Sequence, residues 1–154
     1  MSISLDPFVT RLLVAAGLSA AIGFEREYHR KPAGLRTNML IGIGSAMFTI
    51  MSIRFAGVGQ GSVDRVAAQI ATGIGFLGAG AILRDEHTVH GLTTAATIWV
   101  NAAIGMAVGS GEYQLAVMST VVTLIVLAVL EPIERFFENW AVRRGVHQHD
   151  ERKT

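Results

Sequence analysis

The sequence has no cysteine, only three prolines among 154 residues, and charged side chains at just 16%. Each shortage excludes something. Without cysteine there is no disulfide scaffold, no thiolate metal site and no cysteine nucleophile. An ordinary soluble domain carries about 25% charged residues. The low charge here, beside 51% hydrophobic residues, excludes a disordered chain, whose composition is the reverse. A net charge of +1 offers no basic footprint, so no nucleic-acid partner is expected.

What is present is a clustering of the charges. Between the clusters lie five uncharged stretches: Leu12–Phe24, Thr37–Ile53, Val66–Leu83, His87–Gly111 and Tyr113–Leu130. The last four run 17 to 25 residues. At 1.5 Å rise, an 18-residue helix is about 27 Å long, close to the hydrocarbon thickness of a bilayer. The first stretch is shorter, but Phe8 and Val9 extend it past Arg11, whose long side chain reaches toward the interface. Five such stretches leave too little polar sequence to solvate a soluble fold. The expected fold is therefore all-α: a polytopic membrane bundle of five transmembrane helices over residues 1–130, with the lipid bilayer as its first partner. Asp6-Pro7 ahead of the first stretch, without a basic n-region, argues against a signal peptide.

Residues 131–154 read differently. Ile133, Phe136, Phe137, Trp140 and Ala141 fall on one helical face, opposed by Glu134, Arg135, Glu138 and Arg143. Pro132 suits a first helical turn, so a bend and a new amphipathic helix are expected there, lying along the cytoplasmic interface and followed by a polar tail. Orientation comes from Lys and Arg in alternate loops. Ten fall on the side of the tail and the loops around Arg26–Arg36 and Arg84, against three (Arg11, Arg54 and Arg65) on the other. That count places the N-terminus outside and the C-terminus in the cytoplasm.

Gly73-Ile-Gly75-Phe-Leu-Gly78 matches the dinucleotide fingerprint formally. The fingerprint needs a turn from strand to helix, whereas here it sits inside an apolar run of bilayer length. Packing explains it better. Ala67, Ala71, Gly75 and Ala79 repeat every four residues, with Gly78 beside them, and Gly105 and Gly109 make a second small-residue pair. Small residues let membrane helices approach closely, so the third stretch is expected to be the most buried, and the Gly105/Gly109 face to serve packing within or between subunits.

Charged residues inside the spans would be functional by default, and the second to fifth stretches contain no Asp, Glu, Lys or Arg. Gln69, Thr93, Thr94, Thr97 and Asn101 remain, suited to interhelical hydrogen bonds or to a polar patch. Charges at the span ends are more suggestive. Glu25, Arg26, Arg36 and Asp85 fall on the cytoplasmic side, so with Thr93, Thr94 and Asn101 they form the candidate functional cluster; Asp64, Arg65 and Gln69 mark the outer start of the third span. No nucleophile–base set and no metal-ligand cluster is evident, so no enzyme is expected. His90 near a helix start and the tail pair His147 and His149 make no site by themselves.

Gly23-Phe-Glu-Arg-Glu27, Pro32-Ala-Gly-Leu-Arg-Thr37, Arg65-Val-Ala-Ala-Gln69 with Gly73-Ile-Gly-Phe-Leu-Gly-Ala-Gly80, and Gly91-Leu-Thr-Thr-Ala-Ala96 with Trp99 resemble the MgtC/SapB family. The resemblance covers about two thirds of the chain, from Leu12 to Gly111. It implies a bacterial inner-membrane protein linked to growth at low magnesium and, in pathogens, to survival inside macrophages. It also implies regulation of other membrane proteins, such as ATP synthase, or of membrane potential rather than catalysis. The family's alternative label is a Mg²⁺ transporter or channel, with Mg²⁺ as ligand or transported ion and no resident cofactor. Longer members carry a soluble C-terminal domain, which this sequence is expected to lack. Glu25, Arg26, Arg36, Thr93 and Thr94 lie inside the family motifs; Asp85 and Asn101 enter on chemistry alone. The charge count makes a direct prediction: a reporter fused after Arg144 reads as cytoplasmic and one inserted near Gly59 as external, and the opposite pair would invert the topology.

Overall fold

The computed structural model describes residues 7–57, 62–84 and 88–143, with residues 131 and 134–143 as backbone only. Its elements are α1 (Pro7–Tyr28), α2 (Leu35–Gly57), α3 (Val63–Gly80), a short antiparallel hairpin β1 (Leu83–Arg84) and β2 (Val89–His90), α4 (Leu92–Ser110) and α5 (Tyr113–Arg143). The expected all-α bundle is present. Four helices are long and apolar enough to cross a membrane: α1, α2, α4 and the Tyr113–Leu130 part of α5. The fifth, α3, has 18 residues, but Asp64 and Arg65 in its first turn dilute its apolar length.

The expected break at Pro132 does not occur. The α5 backbone runs through Pro132 as one helix to Arg143. Proline removes one helical donor and crowds the carbonyl four residues earlier. Here that disturbance falls where the apolar run ends, so a freed carbonyl can find interfacial water. Residues 131–143 are thus the last turns of α5, and the expected amphipathic face lies in a backbone-only stretch apart from the exposed Ile133. The tail beyond Arg143, with His147 and His149, lies outside the described residues.

Burial also departs from expectation. The central helix is α4, not α3. It buries Thr94, Thr97, Ile98, Asn101, Ala102, Ile104, Gly105, Val108 and Gly109, whereas α3 buries only Ile70 and Gly78. Two glycines explain why α4 takes the centre. A Cβ on Gly105 would stand 2.5 Å from the Gly42 carbonyl oxygen, and one on Gly109 2.7 Å from that of Ala46. Without a hydrophobic drive between helices in lipid, such backbone approach is what gains van der Waals contact. The Gly105/Gly109 face is therefore taken up inside the subunit, against α2. On the other side of α2, a Cβ on Gly42 would collide with Ser19 of α1, and one on Gly23 would stand 2.7 Å from the Leu35 Cα.

On α3 the docked stripe is Val66, Ile70, Ile74 and Gly78, displaced by one position from the expected Ala71–Gly75–Ala79 line. Ile70 packs with Ile41 of α2 and with Ile98 and Ala102 of α4, and Gly78 meets Ala95 at ordinary contact distance. Larger aliphatic side chains make more van der Waals contacts with the facing helices than alanine does, so they turn inward. Gly73, Gly75 and Gly80 face open space, and Phe76 is 81% exposed.

Two further features close the bundle. Gly91 enters α4 at φ +88°, where a side chain is strained and would also strike the Ala81 carbonyl, so the hairpin must return through glycine. Arg11 does not simply reach for the interface: its guanidinium donates to the Gly109 carbonyl at 2.6 Å, placing a cation at the C-terminal end of α4, where the helix dipole favours it. Arg54 at the end of α2 lies 4.8 Å from the Phe8 ring centroid, tying the same end of α1. From this packing, Gly105→Leu should destabilise the detergent-purified protein by about 3 kcal/mol or more, as overpacking does where backbone must move, while Gly75→Leu should change thermal unfolding little. Equal losses would contradict the assignment of α4 to the centre.

Candidate functional site

The α1–α2 connection is short because it is held from three directions. Glu27, in the last turn of α1, accepts a hydrogen bond from the Leu35 N–H at 2.8 Å, and its carboxylate fills the space a side chain on Gly34 would need. A carboxylate there also suits the N-terminus of α2. Arg30 and Ala33 have φ of 54° and 56°, left-handed conformations uncommon outside glycine. Asn38, one turn into α2, holds this turn by donating to the Ala33 and Gly34 carbonyls at 2.5 and 3.0 Å.

Asn38 is fully buried, and it faces Asn101 of α4. The Asn101 side-chain amide donates to the Asn38 backbone carbonyl at 2.7 Å and to its Oδ1 at 3.1 Å. Two turns back along α4, Thr94 accepts a hydrogen bond at 3.1 Å from Arg26, which is only 4% exposed. Between them Thr97 donates to the Thr93 carbonyl at 2.7 Å. A polar seam thus runs from Arg26 through Thr94 to Asn101 and Asn38, where α1, α2 and α4 meet. Buried polar groups are costly unless paired, and this pairing fixes three helices at one end of the bundle.

The seam gathers Arg26, Thr94 and Asn101 of the expected cluster. Glu25 stands beside it, with its carboxylate 3.1 Å from His29 Nδ1 and a side chain 11% exposed. Arg36 and Thr93 are exposed, and Thr93 joins the seam only through its backbone carbonyl, which accepts from Thr97. Asp85 lies outside the described residues. Asp64 and Arg65 are exposed in the first turn of α3, and Gln69 is exposed beside α2. Among the described residues no group of three or more His, Asp or Glu could hold a metal ion.

Sequence reasoning missed Asn38 and Glu27. The available signal was an amide inside an apolar span one turn after Pro-Ala-Gly, and a carboxylate placed to cap the next helix. The seam generates a stability prediction. Asn38→Ala removes the donors to two carbonyls and strips Asn101 of a partner, so it should cost about 1–3 kcal/mol in reversible unfolding. Arg36→Ala, at an exposed position, should stay within about 0.5 kcal/mol.

The sequence matches the model of the MgtC family over residues 12–136. The chain is 49% identical over 133 residues to the putative magnesium transporter YhiD of Escherichia coli K12, an alignment covering 82% of this chain and 61% of that protein. It is 46% identical over 131 residues to protein MgtC of Brucella abortus, covering 85% and 54%. It is 45% identical over 118 residues to protein MgtC of Salmonella typhimurium, covering 77% and 50%. The chain thus spans between half and two thirds of the length of these relatives. No solved structure matches it.

Proposed function

The chain belongs to the MgtC family, and on that premise we propose that this membrane protein supports adaptation to low magnesium by regulating other membrane proteins. In this reading it sits in a bacterial inner membrane with the N-terminus outside and the C-terminus cytoplasmic, and it is not an enzyme. Its partners are other membrane proteins, such as ATP synthase or proteins that set membrane potential, and a homo-oligomer belongs among them.

One observation carries the reading: the central polar side chains are committed to helix–helix bonding. Asn101 turns its amide nitrogen on Asn38, and Arg26 its guanidinium on Thr94. A hydrated-ion path needs such groups to face water, since Mg²⁺ gives up its water reluctantly. Groups tied between helices instead hold a scaffold, whose outer faces on α3 and α5 carry exposed Phe76, Leu115 and Met118. Apolar helix faces with this exposure suit docking against other helices in lipid. The functional cluster in this reading is Arg26, Thr94 and Asn101 with Glu25 nearby, and Arg36 and Asp85 serve the cytoplasmic boundary.

The second reading, a Mg²⁺ transporter or channel, is favoured by the name of the Escherichia coli relative. Here Mg²⁺ is the transported ion rather than a resident cofactor. Liposomes containing only the purified protein separate the two. We expect Mg²⁺ uptake no greater than in empty liposomes, and saturable uptake would replace the regulatory reading with transport. In cells, Arg26→Gln should leave a measurable membrane pool while lowering growth at limiting magnesium. Normal growth with Arg26→Gln, Glu25→Gln and Thr94→Ala together would remove the cluster from the function.

A further inference from the structure

The loose seating of α3 leaves a groove between α2 and α3, floored by Ile98 of α4, with a volume of about 660 Å³. Its α2 wall runs from Thr37 to Phe48 and its α3 wall from Val66 to Leu77. Eleven helical steps make each wall about 17 Å long. One leaflet of hydrocarbon is about 15 Å thick. Glycines widen the channel from both sides: Gly44 on α2 and Gly73 on α3 line it, and a Cβ on either would meet nothing within 4 Å. The lining is apolar apart from Thr37, Ser45 and Gln69.

The two ends differ in charge: at the Val66 end exposed Asp64 and Arg65 offset one another, whereas cations prevail at the Thr37 end among the described residues. At the Thr37 end the preceding residue, Arg36, is exposed in the first turn of α2. Arg84, just beyond α3 at the same end, is also exposed. The groups around them are Glu27, held by the Leu35 N–H, and the cations Arg30 and Lys31 in the α1–α2 turn. A phosphate at this level has an exposed guanidinium to pair with, and the groove below it accepts one leaflet's length of chain.

We propose that this groove is a lipid site: it holds one acyl chain of an anionic glycerophospholipid, with the lipid's phosphate paired to Arg36. The lipid then acts as the packing that α3 lacks against α2. The site is separate from the Arg26–Thr94–Asn101–Asn38 seam and does not depend on the regulatory reading.

Native mass spectrometry of the full chain, released from detergent with phosphatidylglycerol or phosphatidylcholine added, tests it. Wild type should retain one phosphatidylglycerol in preference to phosphatidylcholine by about fivefold, as one near-surface cation provides. Gly73→Leu and Gly44→Leu place a side chain where a Cβ would meet nothing within 4 Å, so they should fill the groove and lose the lipid while keeping the wild-type unfolding temperature. Arg36→Gln should keep a lipid but lose the headgroup preference. Lipid retention unchanged in both glycine variants overturns the proposal. So does a dimer of wild type that both glycine variants dissolve, which would assign the groove to a second copy, and so does a headgroup preference that Arg36→Gln leaves intact.

Discussion

Everything else in this bundle depends on how closely α2 approaches α4. In lipid, burying apolar side chains between helices gains little, because the tails are as apolar as the side chains they replace. Stability must come from contact at short range and from hydrogen bonds. Gly105 and Gly109 allow the first by bringing the α4 backbone against the carbonyls of Gly42 and Ala46. Gly42 serves both sides, since its own missing side chain admits Ser19 of α1. Three helices therefore meet at one residue without a side chain. Once α4 is pinned there, its polar residues have no freedom to choose other partners. Asn101 lands on Asn38, Thr94 on Arg26, and the far end of the helix on Arg11.

The two arginines at the ends of α4 are placed in opposite electrostatic senses. Arg11 meets the C-terminal carbonyls, where the dipole attracts a cation. Arg26 meets Thr94 in the first turn, at the end where the dipole repels one. Burial makes that position more demanding, because the local dielectric is low. Arg26 is thus a buried cation that the junction of α1 and α4 accommodates at the end the helix dipole disfavours.

How much of this was legible in the sequence depends on the length scale. Helix number and rough extent came from the spacing of charges, because a bilayer imposes one span length on every crossing. The junction of Arg26 with Thr94 and Asn101 was legible as a cluster, since the alternation of loops brings those ends to one side. Which helix stands in the centre was not. Glycine spacing marks where a backbone can be approached, and Gly75 and Gly105 look alike in sequence, yet only Gly105 has a carbonyl facing it. That choice is made by the partner helix, through residues far away along the chain. The continuity of α5 through Pro132 was missed for a similar reason: proline weakens a helix locally, and its position at the end of the apolar run lets the surroundings absorb the loss.

The contrast between α4 and α3 gives the bundle two kinds of surface. Where α4 meets α1 and α2, backbone contact and hydrogen-bonded side chains pack the helices closely. Along α3, the inward isoleucines reach α4, but the glycines turn outward and the helix stands away from α2. Contacts of that kind are made by the tips of side chains, and they shift at lower cost than backbone packing because each is worth a fraction of a kcal/mol. A helix held this way responds to whatever fills the space beside it, whether a lipid chain or the flank of another protein. The protein's task need not therefore reside in the same helices as its rigidity: the seam of α1, α2 and α4 sets the frame, and α3 is the element whose position its neighbours in the membrane can set.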